Sequence, residues 1–221
     1  MLHTLTGTKG LAAGLIGALD VAVTLVTWPL LGGARNHAGA TPDELSRPLP
    51  GDDLVPQPVL QYTRVFPLPA PPATIWPWLA QWGQGRGGLY SYDALENLVG
   101  CDIHSVDRIL PEHQDLKPGD HLRFGPVEKN FPGQVVHAFE PGRYLLMTAL
   151  DPQTRQPVMD VSWLLYLDAQ PDGTTRLTSR SRNGAIHGGG EKLMWQFVAV
   201  LNFVMERKMM WTIRQHVTRV G

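Results

Sequence analysis

The feature that most constrains the fold is the last part of the chain, Glu191 to Val220, which contains neither proline nor glycine. Apolar residues recur there close to the period of an α-helix, at Met194, Phe197, Leu201, Val204, Met209, Ile213, Val217 and Val220. The pattern predicts one amphipathic helix of ~45 Å, at a rise of ~1.5 Å per residue. The apolar face of such a helix must be buried against another layer of structure.

That layer is predicted to be an antiparallel sheet. Strand-like runs separated by turn signals lie at 61–68, 121–124, 134–139, 144–149, 158–167 and 174–182. The turn sequences at 140–143 and 170–173 join neighbouring runs as hairpins, which favours antiparallel pairing over βαβ units. A short helix is predicted at 73–81, divided into two turns by Pro77. The fold class is therefore α+β, with a long C-terminal helix lying across the sheet.

The N-terminus carries an apolar run from Gly10 to Gly32 whose only charged residue is Asp20. A helix of this length can cross a hydrocarbon layer of ~30 Å. We predict a hydrophobic, transmembrane segment at 1–33, and hence a single-pass membrane protein whose orientation is left open. Two alternatives stay open: a signal peptide cleaved after Ala40, and an apolar helix packed on the domain. Residues 34–60 are rich in proline and predict an extended linker, followed by one domain at 61–221.

Composition excludes some classes of function. The net charge is −1, and the lysines and arginines are scattered, which argues against a nucleic-acid partner. The single cysteine, Cys101, excludes an internal disulfide and a multi-cysteine metal site. The sequence carries no signal of oligomeric state.

The segment Trp82–Arg108 combines glycines, aromatic residues, carboxylates and a histidine. Buried polar groups of this kind need hydrogen-bond partners, so the segment predicts catalysis, ligand recognition or a polar cluster that satisfies itself. The candidates for acid–base chemistry are Tyr90, Asp93, Glu96 and His104. The spacing of Asp102, His104 and Asp107 is compatible with three metal ligands, but side-chain hydrogen bonds to the loop backbone explain it as well. We predict neither a metal nor a cofactor.

Three stretches resemble a known family. They are PPATIWPWLAQWGQGRGGLYSYDALENLVGCDIHSVDRILPEHQDLKPGD, the strand-rich middle, and MERKMMWTIRQ in the last helix. Together they resemble the START-related superfamily (SRPBCC), in particular its polyketide cyclase/dehydrase-like and lipid-transport-like bacterial members. The preceding GATPDELSRPLPGDDLVP is similar to the leader of a membrane-tethered subgroup, which weakens the signal-peptide alternative. The resemblance implies a helix-grip fold, in which a curved sheet holds the C-terminal helix around an apolar pocket.

The resulting functional hypothesis is a membrane-tethered protein that binds a hydrophobic small molecule or lipid between sheet and helix. The candidate ligand-binding residues are Trp82, Tyr90, Tyr92, Trp163, Arg180, Phe197 and Leu201. Two alternatives remain: a cyclase/dehydratase-like enzyme using Asp and His as acid and base, and a non-catalytic membrane partner protein with a filled cavity. A binding role is favoured over an enzymatic one, and catalysis is left open.

Overall fold

The computed structural model describes residues 8–151, 153–184 and 189–220. The helices are α1 (Thr8–Asn36), α2 (Pro42–Ser46), α3 (Pro72–Ala80), α4 (Asp93–Leu98) and α5 (Gly189–Val220), with 3-10 turns at Pro111–His113 and Val127–Lys129. The strands are β1 (Leu60–Leu68), β2 (His121–Arg123), β3 (Gly133–Glu140), β4 (Tyr144–Leu150), β5 (Pro157–Ala169) and β6 (Thr175–Asn183).

The six strands form one antiparallel sheet in the order β1-β6-β5-β4-β3-β2. Both predicted hairpin turns are present, and each contains a glycine in the left-handed region, Gly142 at φ 72° and Gly173 at φ 81°. The register shifts between Val136 and Ala138 and between Thr148 and Ala149. Such bulges bend and twist the strands, which lets the sheet curve around α5. The predicted α+β helix-grip fold is confirmed.

The main core lies between the inner face of the sheet, α3 and α5. Its fully buried members include Ile75, Leu79, Leu145, Met147, Leu165, Leu177 and Ile213. Helix α3 runs unbroken through Pro77, whereas the sequence predicted two separate turns. The missing N–H of Pro77 removes only one bond to the first turn of a short helix, and the buried side chains of Ile75, Trp78 and Leu79 hold the remaining turns against the core.

The segment 34–60 differs from the extended linker predicted for it, because it packs on the outer face of the sheet. Helix α2 begins with a capping box, in which the Glu44 backbone N–H donates to the Thr41 hydroxyl (3.3 Å) and the Thr41 N–H donates to the Glu44 carboxylate (2.8 Å). Glu44 is buried and accepts from Arg176 of β6 at 2.6 Å. Arg180, also on β6, donates to Asp52 at 2.7 Å. Sequence periodicity could not show these partners, since they lie more than a hundred residues away.

Helix α1 lies along the domain and contacts α4, α5 and β1. It is long and apolar enough to span a membrane between Ala12 and Asn36, a property shared by signal sequences and by core helices of soluble proteins. Its small residues face the domain: a Cβ at Gly17 would stand 2.7 Å from Leu95. Asp20 accepts from the Tyr92 hydroxyl at 3.3 Å and from Arg207 at 2.5 Å. Part of the predicted N-terminal segment, residues 1–7, lies outside the described residues.

Arg64 of β1 is completely buried and forms an ion pair with Glu206 of α5 at 2.5 Å. The Arg64 guanidinium also donates to the backbone carbonyl of Arg35 (3.1 Å) and to Asn36 (3.3 Å), which fixes the end of α1. It lies 4.1 Å from the centre of the Tyr62 ring. One buried cation therefore joins α1, the sheet and α5.

We expect Glu206→Gln to lower the free energy of unfolding by about 3–5 kcal/mol, because it leaves the Arg64 charge buried without a counterion. The matched control is Glu140→Gln, which breaks the exposed pair with Arg143 and should leave the free energy of unfolding almost unchanged. Urea denaturation followed by tryptophan fluorescence measures both. Equal effects of the two substitutions would contradict the role given to the buried pair.

Candidate ligand-binding cavity

A cavity of about 270 Å³ lies between the inner face of the sheet and the first half of α5. Ala149, Ser181 and Ala199 line it with small side chains, and the backbone of Gly133 forms part of the wall. The remaining lining residues are Leu60, Tyr62, Phe124, Pro132, Gln134, Leu150, Val161, Trp163, Asn183, Trp195, Val198 and Asn202. Within the described chain, none of the lining side chains is charged. The volume is just below the range of ~300–1,000 Å³ that is typical of small-molecule sites.

The cavity walls are aromatic, with a few polar groups between them. Burial and the negative charge of Glu206 raise the pKa of Tyr62 to about 12, although its hydroxyl bonds with Ser181 and Asn202. The phenol is therefore neutral at physiological pH. The Gln134 Oε1 atom is buried, and no hydrogen-bond donor reaches it from the described residues. An apolar ligand with one donor group would satisfy that oxygen.

Trp163 is fixed in the cavity wall by a chain of buried hydrogen bonds. Its indole N–H donates to the Ser179 hydroxyl at 2.8 Å. The Ser179 hydroxyl in turn donates to Glu206, which pairs with Arg64. Behind this wall, the Trp82 ring meets Trp163 edge to face at 5.3 Å between centroids. A pre-positioned aromatic wall loses little conformational entropy on binding.

Of the seven residues predicted to bind ligand, Trp163 alone lines this cavity. Trp82 lies deeper in the core and donates its indole N–H to the Leu89 carbonyl. Tyr92 faces α1 rather than the sheet. Arg180 lies on the outer face of the sheet, where it binds the segment 44–52. The period-2 pattern places Arg180 and Arg182 on one face of β6 but does not say which face is inward.

The two α5 candidates also lie outside the cavity lining. Phe197 is 48% exposed, and Leu201 is partly buried. The cavity instead uses Trp195, Val198, Ala199 and Asn202 of the same helix. The helical period predicted one apolar face along the whole of α5. In the first part of the helix, however, the residues that face the sheet lie next to that predicted face. Tyr62 and Phe124 were missed as well, since aromatic residues in predicted strands give no separate signal for a cavity.

Much of the segment Trp82–Arg108 is held by hydrogen bonds between its own residues. Asp93 accepts from the Ser105 N–H and from the Ser105 hydroxyl, both at 2.7 Å. Asn97 bonds both backbone groups of Ile103, at 2.8 and 2.6 Å. These contacts hold the loop after α4 against the domain.

None of the four acid–base candidates lines the cavity. Tyr90 is completely buried, and its hydroxyl accepts from Gln81 at 2.7 Å; burial raises its pKa. Asp93 is engaged by Ser105, as described. His104 is exposed and lies 3.1 Å from Asp102 at the surface. Among the described residues, no three histidine, cysteine or acidic side chains are grouped so as to hold a metal ion.

Glu96 is the remaining candidate and differs from the others. It is 6% exposed, and its Oε2 atom has no hydrogen-bond partner among the described residues. Burial, reinforced by the charge of Asp93, raises the pKa of Glu96 to about 8. The carboxyl is therefore largely protonated at neutral pH, inside α4 rather than in the cavity.

No protein-family model matches the chain, and no curated protein matches it. Solved structures similar to this chain include a protein from Mycobacterium smegmatis, with 17% identity, TM-score 0.44, and coverage of 73% of this chain and 93% of that chain. A protein from Nitrosomonas europaea is 12% identical, with TM-score 0.43 and coverage of 79% and 100%.

A third similar structure is a Polyketide_cyc-like protein from Corynebacterium glutamicum. It is 15% identical to this chain, with TM-score 0.41 and coverage of 75% of this chain and 94% of that chain. No activity is transferred from these proteins, and the fold assignment stands on the sheet order and the C-terminal helix of this chain.

The raised pKa of Glu96 predicts that stability falls as pH rises. Between the unfolded pKa, near 4.5, and about 8, the unfolded chain gives up this proton while the folded chain keeps it. Wild type should therefore lose roughly 3–5 kcal/mol from this group between about pH 5 and 8. Glu96→Gln should match wild type at pH 5 and exceed it at pH 8, as measured by urea denaturation. Glu112→Gln, at an exposed carboxylate, is the control; a pH-independent difference for Glu96→Gln would refute the assignment.

Proposed function

We propose that this protein binds a hydrophobic small molecule or a lipid in the cavity between the sheet and α5. The observation that carries the proposal is the uncharged, aromatic lining of that cavity, including Tyr62, Phe124, Trp163 and Trp195. Apolar surface that leaves water on binding contributes about 25 cal/mol per Å² before the costs of association. The polar groups Gln134 and Asn202 would orient a ligand rather than supply most of its affinity.

The second part of the proposal is attachment to a membrane through α1. Leu19, Val26 and Leu30 are 65%, 78% and 86% exposed. Aliphatic side chains exposed in this way along one helix are typical of a surface that another apolar phase covers. A binding domain held at a membrane has direct access to lipid ligands. The single-pass anchor predicted from the sequence remains a prediction, as does the side of the membrane.

A catalytic function receives no support from the cavity. Acid–base chemistry needs a titratable group within hydrogen-bond reach of the reacting atom. The phenol of Tyr62 is the titratable group among the described lining residues, and its raised pKa makes it a poor base near neutrality. The geometry therefore favours binding over the cyclase/dehydratase alternative.

Filling the cavity should abolish binding. Ala199 is 4% exposed and lines the cavity, so Ala199→Phe places a ring in the ligand's space. We expect at least a tenfold loss of affinity for Nile red, a neutral hydrophobic probe, measured by fluorescence titration of the full chain. Ala169→Phe, at an exposed position at the end of β5, is the control and should bind like wild type.

Native mass spectrometry of the wild-type full chain, released gently from detergent, provides the direct readout. A co-purifying lipid or acyl species that is absent from Ala199→Phe would support the proposal and identify its chemical class. Unchanged Nile red affinity in Ala199→Phe, with native circular dichroism, would overturn it.

A further inference from the structure

The outward side of α1 forms a continuous aliphatic stripe. Leu15, Leu19, Val23, Val26 and Leu30 recur every three or four residues and are 50–86% exposed. At ~1.5 Å per residue the stripe is ~22 Å long. From residue 12 to residue 34 the helix has one charged side chain, Asp20, which is turned toward the domain. The stripe therefore has no charge along its length.

The opposite side of α1 contacts the domain from Gly14 to the end of the helix. Near its beginning, a Cβ at Gly14 would stand 3.3 Å from the Ala94 Cβ of α4. In the middle, Asp20 pairs with Arg207 of α5, and Trp28 meets Phe203 at 6.1 Å between ring centroids. The end is fixed by Arg64, as described above. A helix held in this way can present its outward half to lipid but cannot cross a bilayer while the domain stays in water.

A row of exposed residues on α5, two of them arginines, continues this surface. Arg207, Trp211, Arg214 and Thr218 are exposed at helical spacing, and the row begins at the contact with α1. The sequence contains no acidic residue from 207 to 220. The Lys208 ammonium lies 4.1 Å from the centre of the Trp211 ring.

Two arginines near the end of α5 are available to bind an anion. Arg214 and Arg219, together with Trp211, line a shallow depression of about 300 Å³. Among the ion pairs formed by the described residues, none involves Arg214 or Arg219. A guanidinium pair beside an indole is suited to a phosphate group at an interface, where tryptophan is enriched.

We propose that α1 and the second half of α5 form one docking face for the surface of an anionic phospholipid bilayer, with α1 lying in the plane of the membrane. The stripe on α1 enters the boundary between head groups and acyl chains, as interfacial amphipathic helices do. The cations of α5 attract the anionic head groups of the lipid. This inference rests on the membrane attachment proposed above and specifies its partner and its geometry.

A disulfide that locks α1 onto α4 separates in-plane docking from crossing. The Cβ spacing of Gly14 and Ala94 is close to the 3.5–4.5 Å of disulfides. The full chain carrying Gly14→Cys, Ala94→Cys and Cys101→Ser is oxidised and floated with vesicles of phosphatidylcholine containing phosphatidylglycerol. Oxidised and reduced protein should bind the vesicles within twofold of each other. Loss of binding on oxidation, or failure of the disulfide to form on vesicles, would overturn the in-plane geometry.

Charge substitutions test the two parts of the face separately. Val26→Glu should reduce flotation at least tenfold. The control is Val59→Glu, at an apolar residue that directly precedes β1 and is 58% exposed; it should leave flotation unchanged. Arg214→Glu combined with Arg219→Glu should remove the preference for phosphatidylglycerol over pure phosphatidylcholine vesicles. Wild-type flotation by Val26→Glu would contradict the proposal. A second outcome would also contradict it: wild type fails to float, and light scattering shows a dimer that Val26→Glu dissociates. In that case a second copy of the chain would cover the stripe.

The failures of the two proposals can be told apart. Nile red binding and its loss in Ala199→Phe report on the cavity alone, whatever the flotation result. Absence of wild-type flotation removes membrane attachment altogether. Flotation of the reduced but not the oxidised protein removes only the in-plane arrangement.

Discussion

The buried ion pair between Arg64 and Glu206 is the contact on which the arrangement of the other elements depends. A buried guanidinium is stable only with a counterion and with acceptors for its remaining donors. Glu206 supplies the charge, and the end of α1 supplies the carbonyl and amide oxygens. Glu206 also accepts from Ser179, which holds Trp163 in the cavity wall. The requirement to satisfy one cation thus positions α1, the cavity and α5 together.

Helix α5 carries both of the proposed activities. Its first half contributes Trp195, Ala199 and Asn202 to the cavity, and its second half carries Trp211 and Arg214 on the opposite, exposed surface. Because one helix holds both, the cavity keeps a fixed position relative to the proposed lipid-facing surface. The described cavity lining is uncharged, whereas the exposed side of α5 carries cations. In the proposal, the cavity binds an apolar ligand and the cations attract the membrane surface.

The candidate site was predicted less well than the fold, for a specific reason. The segment Trp82–Arg108 has the composition of an active site, yet several of its polar groups bond to each other, as Asp93 and Asn97 show. The buried Glu96 Oε2 atom is an exception, since it has no hydrogen-bond partner among the described residues. Local hydrogen bonding and catalysis require the same residue types, so composition alone does not separate them. Trp163, one of the candidates for ligand binding, lines the cavity from the inner face of the central strand β5.

The sequence by itself determined the local structure: the helical period of α5, the strand runs and the two glycine turns at 142 and 173 follow from contacts between near neighbours. Only the tertiary structure decided which side each element presents and to what. Asp20, the one charged residue of the apolar N-terminal run, pairs with Arg207, 187 residues away in the sequence. Arg180 turns outward to hold the segment that sequence analysis treated as a linker. Such pairings depend on how distant elements pack, and the periodicity of a single segment contains no record of that packing.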